Sequence, residues 1–200
     1  MATVAAPYGL KPVKHSVNTP YAGATNLYRV QSGYATPIYA GAPVILASGY
    51  ITVPAAANLG AGSPERFIGV FMGCSYTDPV TKQKQWSQHY PGGIAATDIV
   101  AYVADDPALT FMIQVNSVNF DALAVVGAAN CYALTSAASG SAVTGNSTIA
   151  LDTDGTPAAA SNLPFRIMGV ATLPDNANAS GYVDVLVRLN GGFHVMTRAG

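Results

Sequence analysis

Asp98-Ile-Val-Ala-Tyr-Val-Ala-Asp-Asp-Pro-Ala-Leu-Thr-Phe-Met-Ile-Gln-Val115 is the stretch from which the fold class is read. Two apolar runs, Ile99–Val103 and Thr110–Val115, flank Ala104-Asp105-Asp106-Pro107. Pro107 fixes φ, and the two Asp side chains can bond nearby backbone N–H groups, so these four residues read as a turn. The expectation is a β-hairpin, because neither run has the 3.6-residue spacing of an amphipathic helix.

The same punctuation extends in both directions. Short apolar or alternating runs end at Gly, Pro, Asn or Asp. They predict strands at Asn26–Gln31, Pro43–Ala47, Tyr50–Val53, Arg66–Met72, Gln83–His89, Asp98–Val103, Thr110–Val115, Cys131–Leu134, Thr148–Leu151, Phe165–Ala171 and Tyr182–Leu189. About eleven strands suffice for an all-β body, either a β-sandwich or a jelly-roll-like β-barrel. One short helix is expected at Ala122–Ala129, N-capped by Asp121. Ser136–Asn146 and Asp152–Asn162 read as polar surface loops.

Two segments share an order of elements. Gly41-Ala-Pro-Val-Ile-Leu, a Pro54-Ala-Ala-Ala loop and Arg66-Phe-Ile-Gly-Val are followed later by Gly127-Ala-Ala-Asn-Cys-Tyr, Pro157-Ala-Ala-Ala and Phe165-Arg-Ile-Met-Gly-Val. A duplicated β unit is expected, with Gly41–Phe71 superimposing on Gly127–Ala171 and with Val70 and Val170 at equivalent inward positions. Both copies would share one core, since neither is long enough to bury much surface alone.

The first 25 residues have a different texture. Pro7, Gly9, Pro12, Pro20 and Gly23 interrupt regular structure, yet Val4, Tyr8, Leu10, Val13 and Tyr21 are apolar or aromatic. Residues 1–25 are therefore read as an extended N-terminal arm without secondary structure of its own, and residues 26–200 as a single β domain. The arm docks either on its own body or on a neighbouring subunit.

Composition narrows function. The 200 residues are 50% hydrophobic but only 10% charged, with a net charge of −1. An average soluble chain is about 25% charged. A neutral surface of small residues suits a subunit packed against others. No basic excess favours nucleic acid, no apolar run is long enough for a membrane helix, and no secretory leader is visible. Cys74 and Cys131 lack metal or redox spacing and read as buried hydrophobes. His15, His89 and His194 show no zinc spacing, and His15 and His194 read as surface residues. No nucleophile elbow, phosphate loop or dinucleotide fingerprint occurs. Asp152-Thr-Asp-Gly opens like a calcium loop but lacks the remaining ligands, so turn-forming Asp is preferred. No catalytic residue, metal or cofactor is expected. Trp86, His89 and Tyr90 lie in the polar run Lys82-Gln-Lys-Gln-Trp-Ser-Gln-His-Tyr. Such a strand suits either a protein–protein contact or a carbohydrate-binding face.

Several motifs together resemble a family. Gly9-Leu-Lys-Pro-Val-Lys-His, Pro20-Tyr-Ala-Gly-Ala-Thr-Asn-Leu-Tyr, Ile38-Tyr-Ala-Gly-Ala-Pro-Val-Ile-Leu, Tyr102-Val-Ala-Asp-Asp-Pro-Ala-Leu-Thr-Phe, Phe165-Arg-Ile-Met-Gly-Val and Pro174-Asp-Asn resemble those of tailed-phage capsid decoration, or cement, proteins. The similarity runs from about residue 8 to about residue 195. The family often has Gly-Asp-Pro-Val where this chain has Gly41-Ala-Pro-Val. The resemblance implies a non-enzymatic virion protein, made in the host cytoplasm and bound to the capsid exterior. Its partners would be the major capsid protein and copies of itself, as a homo-trimer or homo-dimer, with no nucleic acid and no membrane. Tyr8, Leu10, Lys11, Lys14, Tyr21, Trp86 and Tyr90 are the expected contact residues. A β-sandwich carbohydrate-binding module or adhesin is the alternative.

Overall fold

The structure, a computed structural model, describes residues 4–15, 19–55, 66–118, 120–122, 126, 130–136, 138–154, 158–159, 163–173 and 181–196. These residues form an all-β sandwich of two antiparallel sheets. In chain order the strands are β1 (Lys11–His15), β2 (Asn26–Arg29), β3 (Pro43–Ala47), β4 (Tyr50–Thr52), β5 (Phe67–Thr77), β6 (Lys84–Ser87) and β7 (Val100–Ala104). There follow β8 (Leu109–Gln114), β9 (Asn130–Leu134), β10 (Leu151–Asp152), β11 (Ala158–Ala159), β12 (Phe165–Val170) and β13 (Asp184–Leu189).

One sheet is ordered β2-β7-β5-β3-β4, with β6 pairing β5. The other is ordered β1-β8-β13-β12-β9-β10, with β11 pairing β9. β5 is buried along nearly its whole length, as its run Phe-Ile-Gly-Val-Phe-Met-Gly-Cys requires of a strand covered on both faces. β12 begins with strict alternation: Phe165 and Ile167 point inward, Arg166 and Met168 outward. The sheets meet through one core in which the Phe67 and Phe165 rings pack 5.9 Å apart at 51°.

The expected hairpin at Ile99–Val115 is corrected. β7 pairs β2 and β5, whereas β8 pairs β1 and β13, so the turn carries the chain from one sheet to the other. The turn chemistry is as read, since Ala108 N–H donates to Asp106 Oδ1 at 2.7 Å. Its direction is set by Asp105, whose buried carboxylate accepts Asn26 Nδ2 at 3.0 and 2.9 Å and the Tyr28 hydroxyl at 2.6 Å. Those bonds hold the end of β7 against β2. Both runs are too apolar to leave a face in water, and separate sheets give each run two flanking strands.

The repeat is present in the strand order. β2, β3, β4, β5 and β7 occur in the order β2-β7-β5-β3-β4. β8, β9, β10, β12 and β13 repeat it as β8-β13-β12-β9-β10, with every neighbouring pair antiparallel in both. The expected Val70–Val170 equivalence is corrected. Val70 opposes Ala104 at the end of β7 and is buried; Val170 opposes Val185 near the start of β13 and is half-buried. Half of the residues of the two Pro-Ala-Ala-Ala stretches, and most of the expected helix Ala122–Ala129, lie outside the described residues.

The N-terminal segment does have secondary structure, contrary to expectation. Lys11–His15 is β1, the edge strand paired with β8. Leu10 is only 1% exposed and belongs to the shared core. Its N–H donates to Gly41 O at 2.8 Å, and Gly9 N–H donates to Ile149 O at 3.2 Å. Gly9 and Gly41 have φ of +79° and +87°; a Cβ on Gly9 would come 2.8 Å from Gly41 O, and one on Gly41 would come 3.0 Å from Tyr8 O and 3.3 Å from Gly9 Cα. These glycines stand in two of the motifs that carry the family resemblance, and here they pack against one another.

Candidate functional site

That Gly9–Gly41 contact lays residues 8–12 along an open cleft of about 460 Å³. β1 and the residues before it supply Tyr8, Leu10, Lys11 and Pro12; β5 supplies Met72, β6 Trp86, β8 Met112 and β13 Asp184. Gln88, Asn146 and Leu173 complete the walls with Ala40 and Gly41. The cleft thus spans the two sheets, with an edge strand from each beside it.

Trp86 is 61% exposed. Its ring lies over Gly73, where a Cβ would come within 2.8 Å of the indole. A large apolar surface is thus presented to solvent at the cleft. Gln88 Nε2 donates to Asn146 Oδ1 at 2.5 Å, placing two amides beside the indole. The Tyr8 hydroxyl donates to Asp184 Oδ1 at 2.7 Å. Burial, then the bond and charge of Asp184, push the Tyr8 phenol far above its usual range, so it stays a hydrogen-bond donor. The cleft therefore offers an aromatic and thioether surface with a rim of amides, one carboxylate and one ammonium.

Four of the seven residues singled out from sequence, Tyr8, Leu10, Lys11 and Trp86, line this cleft. Lys14 lies further along β1, opposite Thr110. Tyr21 is half-buried, packs against the core and donates to Ala24 O at 2.9 Å. Tyr90 is corrected: it is 0% exposed, so its side chain contacts its own domain and cannot face a partner. Its hydroxyl donates to Tyr34 O at 2.8 Å and accepts Ile94 N–H at 3.3 Å. Leu10 likewise spends its side chain on the core. Met72, Gln88, Met112, Asn146, Leu173 and Asp184 were not singled out. Gln88 stood in the quoted polar run, but nothing in the spacing of the others links them.

A second polar group surrounds the β7–β8 turn. His15 Nε2 lies 2.8 Å from Asp106 Oδ2. His194, expected at the surface, is only 2% exposed, and burial pulls its imidazole below the usual value. Cys74 and Cys131 are both buried thiols, as small hydrophobes would be. Among the described residues, no three His, Cys, Asp or Glu side chains lie close enough to hold a metal ion.

No family model, curated protein or solved structure matches the chain.

Proposed function

We propose that this chain is a structural virion protein that binds the outside of an icosahedral phage capsid and cements neighbouring capsid subunits against internal DNA pressure. The observation that carries the reading is the convergence of Tyr8 and Lys11, at the β1 edge of one sheet, and Trp86, on β6 of the other, on one open cleft. An exposed indole beside methionines is the composition of a protein-contact hot spot. The low density of charge and the family resemblance support the same reading.

In this mechanism each subunit bridges a seam between capsomers. Many copies, each with a modest interface, add up to a large stabilisation of the shell. A subunit whose site exists only on the expanded shell binds that state and stabilises it. Co-sedimentation with expanded phage shells, assembled from the major capsid protein proposed as its partner, tests the proposal. Saturable, stoichiometric binding is expected, and Trp86→Ala should weaken it at least about tenfold. A chain that never sediments with those shells refutes it.

The second reading, a carbohydrate-binding module or adhesin, is favoured by the Trp86 ring standing beside the Gln88–Asn146 amide pair. Glycan binding by the monomer, lost in Trp86→Ala, would select it.

A further inference from the structure

The pairing registers align a row of residues across the C-terminal sheet. Lys14 opposes Thr110, Thr110 opposes Arg188, Arg188 opposes Arg166, and Arg166 opposes Cys131. Directly opposed residues project from the same face. That face is the one turned away from the core, into which Phe165, Ile167, Val185 and Val187 point; it is covered at Thr110 and Cys131, which are buried, half-covered at Arg188 and open at Arg166. Three of the chain's nine basic residues thus fall in one line, two of them as an Arg–Arg pair on adjacent strands.

Like charges directly opposed on a sheet are destabilising. A protein that is only 10% charged has ample neutral residues for these positions, so the pair calls for a counter-charge. Among the described residues neither arginine has an ion pair. The acids of the neighbouring β7–β8 turn are engaged: Asp105 with Asn26 and Tyr28, Asp106 with His15 and Ala108 N–H. Both arginines border a second open cleft, of about 310 Å³, flanked by Pro107, Met168 and Leu189. Met168 is 49% exposed there.

We infer that this cleft is a carboxylate-binding site for an acidic segment of a partner polypeptide. Planar guanidinium groups match carboxylates in two-point hydrogen bonds. The cleft is far larger than a single inorganic anion, and its apolar flanks suit residues that alternate with the acids. An overall charge of −1 gives no general attraction to a polynucleotide. The site lies outside the Trp86 cleft and does not depend on the partner being a capsid.

The test uses the full chain and two labelled hexapeptides, Glu-Leu-Glu-Leu-Glu-Leu and its Gln-for-Glu counterpart, followed by fluorescence anisotropy. The acidic peptide should bind and the amide peptide should not. Binding should weaken at 0.5 M salt, as expected of a partly exposed charge pair. Arg166→Gln with Arg188→Gln together should weaken it about tenfold or more. Arg188→Gln alone should weaken binding without lowering the thermal midpoint, because it relieves a like-charge contact; a merely structural arginine would lower it. Equal binding of both peptides, or an unchanged double variant, overturns the inference. So does complete displacement of the peptide by equimolar inorganic phosphate, which would mark a free-anion site. Because the assay contains no capsid, its failure would not bear on the cement reading, nor would failure to bind shells bear on this site.

Discussion

Gly9→Ala should unfold the protein at markedly lower temperature, and the structure sets the size of the effect. Gly9 has φ +79°, a left-handed conformation costing an L-residue about 1–2 kcal/mol. An added Cβ would lie 2.7 Å from Ser147 Cβ and 2.8 Å from Gly41 O, inside contact distance on two sides. Overpacking of this kind typically costs about 1–3 kcal/mol. The total, about 2–5 kcal/mol, corresponds to roughly 4–20 °C in Tm for a domain of this size. Gly23→Ala is the control. Its φ is +86°, but nothing lies within 4 Å of the added Cβ, so only the conformational cost applies. Thermal melts followed by circular dichroism would measure both variants, and the fluorescence of Trp86, the only tryptophan, would report the cleft. If Gly9→Ala costs no more than Gly23→Ala, residues 8–12 do not pack against Gly41 and Ser147, and the cleft is not formed as described.

Other expectations follow from buried groups. Burial pushes the Cys74 thiol up to about 12 and also raises Cys131, so a thiol reagent near pH 8 should label neither in the native protein and both in denaturant. Burial lowers the His194 pKa below its unfolded value of 6.5. The unfolded chain therefore binds the proton first, and stability should fall as pH drops below about 6.5 until the folded imidazole also protonates. His194→Gln should flatten that slope in urea titrations at pH 5 and 7. Tyr8→Phe removes the donor to Asp184 and should cost about 1–2 kcal/mol by the same titration.

Strand positions were legible because turn residues mark strand ends and β-branched or aromatic runs mark strands. Pro43–Ala47 was read to the residue. Partner choice was not legible. Asp105-Asp106-Pro107 specifies a turn, but whether the flanking strands pair depends on Asn26 and Tyr28, some 80 residues away, capturing Asp105. β1 was missed because its Pro12 and the bulge between Pro12 and Lys14 spoil the alternation of a strand. The cleft was half legible. Trp86 and Tyr8 stand out as aromatics in polar or Pro-rich surroundings, whereas Met72, Met112 and Asp184 become neighbours only through the packing of two sheets.

The repeated strand order raises the question of whether each half of the chain is a domain, and the packing gives an answer. The chain passes between sheets at Asp105–Ala108, so a cut between Asp106 and Pro107 separates nearly all of one sheet from the other. The exception is β1, which precedes the N-terminal sheet in sequence but pairs with β8 in the C-terminal one. A fragment of residues 107–200 would lose that edge strand and would also expose the inner-face side chains Phe111, Ile113, Phe165, Val185 and Val187. At about 1.5–3 kcal/mol each, those five alone match a domain's whole stability of about 5–15 kcal/mol. Fragments 1–106 and 107–200 should each lack a cooperative thermal transition when purified alone, and one transition should return when they are mixed. A cooperative melt of 107–200 by itself would show that the two sheets are independent units, and that β1 fastens one to the other without being needed for either.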